Sequence, residues 1–167
     1  EQVFYDNFIR AREYGKAHFD HRQALRNTRR RDVLMGKGPL APRRDLELEA
    51  LLQIINEERF ITCHSYRQDE INMLMHVADS MGFRLNTFTH ILEGYKVADK
   101  MKEHGVGGST FSDWWAYKYE VKDAIPYNAA VLYDMGIVTA INSDDAEMGR
   151  RLNQEAAKAV KYGGVPQ

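Results

Sequence analysis

The stretch Phe60-Ile61-Thr62-Cys63-His64-Ser65-Tyr66-Arg67 decides the fold. It begins as a short apolar run of the kind that forms a buried strand, and it delivers a histidine to the C-terminal end of that run. A helical segment follows over 69–81, where Ile71, Leu74, Met75 and Ala78 recur at three- and four-residue intervals and Gly82 supplies a stop. The same alternation then repeats. Residues 85–89 are β-rich and lead into His90, and 92–104 return to helical spacing before Gly105. Residues 106–111 make a weaker strand that contains two glycines and leads into Ser112-Asp113. The segment 114–135 is mainly helical with a break at Pro126, and Gly136 stops it. Residues 137–141 are the most strand-like run, leading through Asn142-Ser143 to Asp144, and 147–162 predict a strong final helix before Gly163-Gly164. Strand starts spaced by roughly 20–30 residues, with helices between, are the signature of βα units. Near-continuous apolar strands suit a parallel sheet covered on both faces. Two closures fit, an open doubly wound sheet or a (β/α)8 barrel. No glycine-rich phosphate loop joins a strand to the next helix, because Gly105-Val106-Gly107-Gly108 precedes or occupies a strand.

Outward toward the N-terminus, a helix is expected from the N-cap Asp45, with Leu46, Leu48, Leu51, Leu52, Ile54 and Ile55 on its buried side. Before it, Met35 to Pro42 holds two glycines and two prolines and reads as a linker. Residues 3–31 carry one apolar stripe at helical spacing, weakened at Gly15 by about 1 kcal/mol relative to Ala. Arg22, Arg26 and Arg29-Arg30-Arg31 form a basic face on this helix, read as solvated surface. The boundaries expected are a helical segment and linker over 1–42 and a βα region over 43–167.

The 167 residues suffice for one domain with a real core. A formal net charge of −1 gives no global pull toward nucleic acid or anionic membranes. No apolar stretch approaches the ~20 residues of a bilayer span. A single cysteine excludes an intrachain disulfide and leaves the compartment open.

In parallel βα architectures the strand C-termini open onto one face, and sites are built there. The visible strand ends offer His64, His90, Ser112-Asp113 and Asp144-Asp145. Taken singly, His64 and His90 read as hydrogen-bonded core histidines, and Asp144 or Asp145 as the N-cap of the last helix. Their recurrence at equivalent positions of successive units favours a metal site for a divalent ion, zinc above all. Neutral imidazoles hold an ion without cancelling its charge, which lowers the pKa of a bound water toward ~7. A carboxylate at the rim can then accept the proton of that water. His18, His21, His76 and His104 lie within helices and read as structural or surface residues, and Cys63 as packed in the sheet wall.

The segments Cys63-His64-Ser65-Tyr66-Arg67-Gln68-Asp69-Glu70, Thr89-His90-Ile91-Leu92-Glu93-Gly94-Tyr95-Lys96-Val97-Ala98, Ser112-Asp113-Trp114-Trp115-Ala116-Tyr117-Lys118 and Asn142-Ser143-Asp144-Asp145-Ala146-Glu147 together resemble the amidohydrolase superfamily of metal-dependent (β/α)8 hydrolases. Within it they are most similar to the branch related to imidazolonepropionase and dipeptidases, including bacterial members that carry a TolB-like β-propeller. The resemblance spans about residues 43–165 and lies in the ordered set rather than in any one piece. It implies a TIM barrel of which strands 5 to 8 are present, with metal ligands His64, His90 and Asp144. Asp144 would also act as general base. Tyr66, Arg67 and Trp114 would bind substrate, Arg67 through a carboxylate. The implied activity is hydrolysis of amide C–N bonds, in cyclic or peptide-like substrates, with one or two divalent ions.

The strand 1 His-x-His pair of that superfamily occurs nowhere here, and the barrel's last helix and small β-sandwich have no room after Gln167. The expectation is therefore a fragment whose partners are a small-molecule or peptide-like substrate and the rest of the barrel. A homo-oligomer is expected, with neither nucleic acid nor a membrane span. The compartment stays open between bacterial periplasm and cytoplasm, with the propeller-bearing relatives slightly favouring the periplasm. The alternative is a non-catalytic barrel piece that serves as a scaffold or binds a partner chain.

Overall fold

Asp45 sets the start of the helix it was expected to cap, since its carboxylate accepts the backbone N–H groups of Glu47 and Leu48, both at 3.1 Å. A computed structural model describes residues 1–112 and 117–166 and divides into two compact units, Glu1–Arg59 and Phe60–Gln167. The first unit holds α1 (Gln2–Asn27), α2 (Arg30–Leu34) and α3 (Leu46–Ile55). Phe8 and Ala11 of α1 are buried, and α1 packs along α3. Gly15 has a packing reason, because a Cβ there would lie 2.8 Å from Leu52 Cδ1. The expected boundary after residue 42 falls inside this unit.

The second unit is α/β, a parallel four-stranded sheet with its helices between the strands. In chain order it runs β1 (Thr62–Ser65), α4 (Gln68–Met81), β2 (Thr87–His90), a 3-10 turn (Gly94–Val97) leading into α5 (Ala98–His104), β3 (Gly107–Thr110), a second 3-10 turn (Tyr119–Val121), α6 (Asn128–Asp134), β4 (Thr139–Ile141), α7 (Ala146–Gly149) and α8 (Leu152–Gly163). The spatial order β1-β2-β3-β4 follows the chain without reversal. A doubly wound sheet reverses at its switch point, whereas barrel strands run in sequence order. The arrangement is that of part of an α/β barrel. Gly82, Gly105, Gly136 and Gly164 all take positive φ where chain reversals were expected.

The core lies between sheet and helices. Ile71, Leu74 and Val77 of α4 and Leu85, Phe88, Ile91, Met101 and Leu132 are all buried, and each is worth about 1.5–3 kcal/mol on burial. Several expected elements are shorter than the spacing suggests. β1 starts two residues late, leaving Phe60 89% exposed, and β4 leaves Val138 83% exposed. Both are edge strands with one neighbour each, so fewer ladder bonds and less cover hold their ends. β2 and β3 alternate between half-buried and buried positions, so only one face is fully covered, rather than the two expected. Within 114–135 the described helix is confined to the turn at 119–121 and to α6, which starts after Pro126. The last helix is split at Arg150-Arg151 into α7 and α8.

α8 docks on α6 through a glycine. A Cβ at Gly163 would stand 2.1 Å from Ala130 Cβ, an atom with no rotamer to yield. Gly163→Ala is expected to destabilise the second unit by about 1–3 kcal/mol, read as a lower midpoint in urea at unchanged slope.

Candidate functional site

The C-terminal ends of the four strands bring His64 and His90 together. Sheet register alone does not predict this. His64 pairs with Thr89, and His90 pairs with Ser65 and Thr110. Alternation along β2 would therefore turn His90 to the face opposite His64. His90 instead has φ of 79°, a left-handed conformation that costs a non-glycine residue of order 1–3 kcal/mol and clusters at functional sites. The break in alternation brings the rings into contact. Their centroids are 4.6 Å apart, and His64 Nδ1 lies 2.6 Å from His90 Nε2. One of these nitrogens donates and the other accepts, so the pair holds a single N–H between them.

His90 is 3% exposed and sandwiched between Tyr66 and Phe111, with ring centroids 5.2 and 4.8 Å away. Its Nδ1 is buried with no hydrogen-bond partner among the described residues, as is Asn142 Oδ1 just past β4. Burial lowers the His90 pKa below the usual imidazole value. His64 and Lys118 lower it further, and the Asp144 carboxylate opposes them. The neutral ring that results is the form that ligates metals. The sign for stability follows. Above pH ~6.5 His90 is neutral in both folded and unfolded chains, and as pH falls below that value the unfolded chain takes up the proton first. With no metal added, the thermal midpoint is expected to drop as pH falls from ~6.5 toward 5, and His90→Gln should flatten that part of the profile.

Asp144 also has a left-handed backbone, with φ of 52°. The cap of the following helix is Asp145, whose Oδ1 accepts the Met148 N–H at 2.8 Å. The Asp144 carboxylate is therefore left exposed, with no hydrogen-bond partner among the described residues. It acts on His90 through its charge, but among the described residues no three His, Cys, Asp or Glu side chains converge as a metal-holding group. The donor set nonetheless suits a divalent ion in kind. Two imidazoles point at each other, a buried ring nitrogen is unpartnered, and a carboxylate stands nearby.

Of the remaining expected site residues, Tyr66 stacks on the His90 ring. Arg67 is engaged elsewhere, in a bidentate pair with Asp69 at 3.0 and 3.1 Å. Trp114 and Asp113 lie outside the described residues. Ser112, whose role was open, donates from Oγ to the Glu155 carbonyl at 2.6 Å and ties the β3 loop to α8. His104 is structural, bonded to Asp79 at 2.7 Å and accepting the Leu85 N–H at 3.4 Å. His21 contacts the Pro39 carbonyl. Cys63 is half-buried, with Sγ 3.6 Å from Ser65 Oγ.

Two supporting residues have no signal in the sequence beyond being polar in an apolar stretch. Asn128, 1% exposed, donates to the Ile91 carbonyl and to Thr110 Oγ1, both at 2.8 Å, and accepts the Tyr95 N–H at 2.8 Å. It thereby fixes the chain just beyond His90. Glu93, also buried, accepts the Gln68 N–H at 3.0 Å, while its own N–H donates to the Tyr66 carbonyl at 3.1 Å. A carboxylate from one βα unit thus sits at the N-terminus of the previous unit's helix, where the helix dipole favours it.

No family model matches the sequence, and no curated protein does. Among solved structures the chain is similar to an amidohydrolase from Thermotoga maritima, with a TM-score of 0.73 and 22% sequence identity. The two share a fold. The match covers 97% of this chain and 39% of that one, so the chain spans well under half the length of the solved protein.

Proposed function

We propose that this chain forms the second half of an amidohydrolase-type barrel, strands 5 to 8, and that the complete barrel hydrolyses amide C–N bonds in cyclic or peptide-like substrates. The observation that carries the reading is the meeting of His64 and His90 at 2.6 Å, achieved through the left-handed backbone at His90. His64 and His90 would hold a divalent ion, zinc above all, with Asp144 as third ligand. When bound, the ion supplies Lewis acidity that lowers the pKa of a coordinated water toward about 7. The chain's own residues do the rest. Burial keeps His90 neutral and able to ligate. Tyr66 and Phe111 fix its ring plane. The exposed Asp144 carboxylate is free to take a proton from the attacking water and return it to the leaving nitrogen. The first half of the barrel, from the same or another chain, would pair with the open edges of β1 and β4, and further ligands would decide between one ion and two.

One observation favours a second reading. The three expected ligands do not form a closed group among the described residues, as suits a non-catalytic barrel piece that binds a partner chain. Hydrolysis separates the two. With zinc added, the completed barrel is expected to cleave N-acyl amino acids or cyclic amides, and to stop when the metal is chelated. Failure to take up zinc, together with no turnover on either substrate class, would leave the scaffold reading standing.

A further inference from the structure

We propose that Lys118 anchors a carboxylate of the substrate beside the histidine pair, an inference that rests on the hydrolase reading above and narrows its substrate class. The Lys118 ammonium sits 3.5 Å from the centroid of the Tyr66 ring, and Tyr66 stacks on His90 at 5.2 Å. The cation is therefore two ring contacts from the His90 imidazole. Its ring neighbours are Tyr66 and, at 5.7 Å, Tyr117, and the Glu120 carboxylate acts on it through charge from farther off. Among the described residues no carboxylate lies within ion-pair distance of it. A cation over a ring face gains electrostatic attraction, yet its three N–H donors still call for oxygen acceptors. Lys118 is half-buried, so bulk water meets that need only in part.

Two other cations of this unit are already matched. Arg67 is held by both oxygens of Asp69, and Lys96 bridges Asp123 at 2.6 Å and Glu93 at 3.3 Å. Arg67 was the sequence-based choice for binding a substrate carboxylate, but the structure gives it a resident one. Lys118 presents a charge of the right sign with no carboxylate at ion-pair distance among the described residues. An amide whose carbonyl lies at the histidine pair would place a carboxylate a few bonds away toward Lys118. N-acyl amino acids and peptide C-termini carry both groups on one molecule.

The test compares N-acetylglycine with its neutral isostere N-acetylglycinamide, titrated calorimetrically into the full chain with zinc present. N-acetylglycine should bind on the order of tenfold more tightly, the scale of one charge-assisted hydrogen bond. Lys118→Met, which keeps the apolar stem over Tyr66, should abolish that preference and leave the amide's affinity within about twofold. Lys118→Gln should do the same, and Lys118→Arg should restore much of it. A preference that survives both neutral variants, or none in the unmodified chain with zinc bound, overturns the anchor and leaves the hydrolase reading intact. A Lys118-dependent preference in a chain that takes up no zinc upholds the anchor and overturns the metal-hydrolase reading.

Discussion

His64→Ala is expected to weaken zinc binding by at least about 100-fold while leaving the folded chain almost as stable as before. Loss of an outer residue that merely orients a ligand costs 10–100-fold in metal affinity, so loss of a ligand itself should cost no less. The separation from stability follows from position. His64 stands on an edge strand and is exposed, so water can take its place beside His90 Nε2, and such substitutions usually change stability by no more than about 0.5 kcal/mol. His90→Ala should weaken zinc binding as strongly but also destabilise the chain, because the His90 ring is buried between Tyr66 and Phe111. Competition with a chromophoric zinc chelator measures the first quantity, and thermal unfolding without metal measures the second. Equal zinc affinity in the original chain and in His64→Ala would remove His64 from the site.

Asn128→Ala should lower stability by about 3 kcal/mol or more, with a fall in the thermal midpoint on the order of 10 °C. The side chain satisfies the Tyr95 N–H, the Ile91 carbonyl and Thr110 Oγ1, at a position that is 1% exposed. Its removal leaves buried donors and acceptors without partners, and each such group costs about 1–3 kcal/mol. Asn128→Asp tests the same network differently. It keeps an acceptor for Tyr95 N–H but turns a donor into a carboxylate facing two acceptors, and should be at least as destabilising. Because Thr110 Oγ1 also lies 3.4 Å from the His90 carbonyl, either change is expected to loosen the left-handed turn at His90 and weaken zinc binding as well. A midpoint within 2–3 °C of the original chain would show that water takes over these bonds and that the network does not fix the site.

Much of the fold could be read from spacing because its signals are local. The stops at Gly82, Gly105, Gly136 and Gly164, the cap at Asp45 and the four strand positions each depend on a few neighbouring residues. Strand lengths were harder to read. Phe60 and Val138 look like strand interior by composition, but they flank the two edge strands, and composition does not say which strand is an edge. The site was legible in its residue types and not in its geometry. His64 and His90 seemed to occupy equivalent positions, yet they are one step out of register. A positive φ at a non-glycine residue brings them together, and nothing in the sequence announces it. Arg67 illustrates the opposite limit. Its chemistry suited a substrate carboxylate, and a neighbour two residues away had already claimed it. Asn128 and Lys118 act across sequence separations that periodicity does not reach.

X-ray absorption at the zinc edge of the zinc-loaded full chain tests the central claim most directly. The expected spectrum contains at least two imidazole nitrogens at about 2.0–2.1 Å from the metal, with one fewer in His64→Ala. A spectrum without imidazole scattering, or one unchanged in the His64→Ala, His90→Ala double variant, would contradict the assignment of this histidine pair as a metal site.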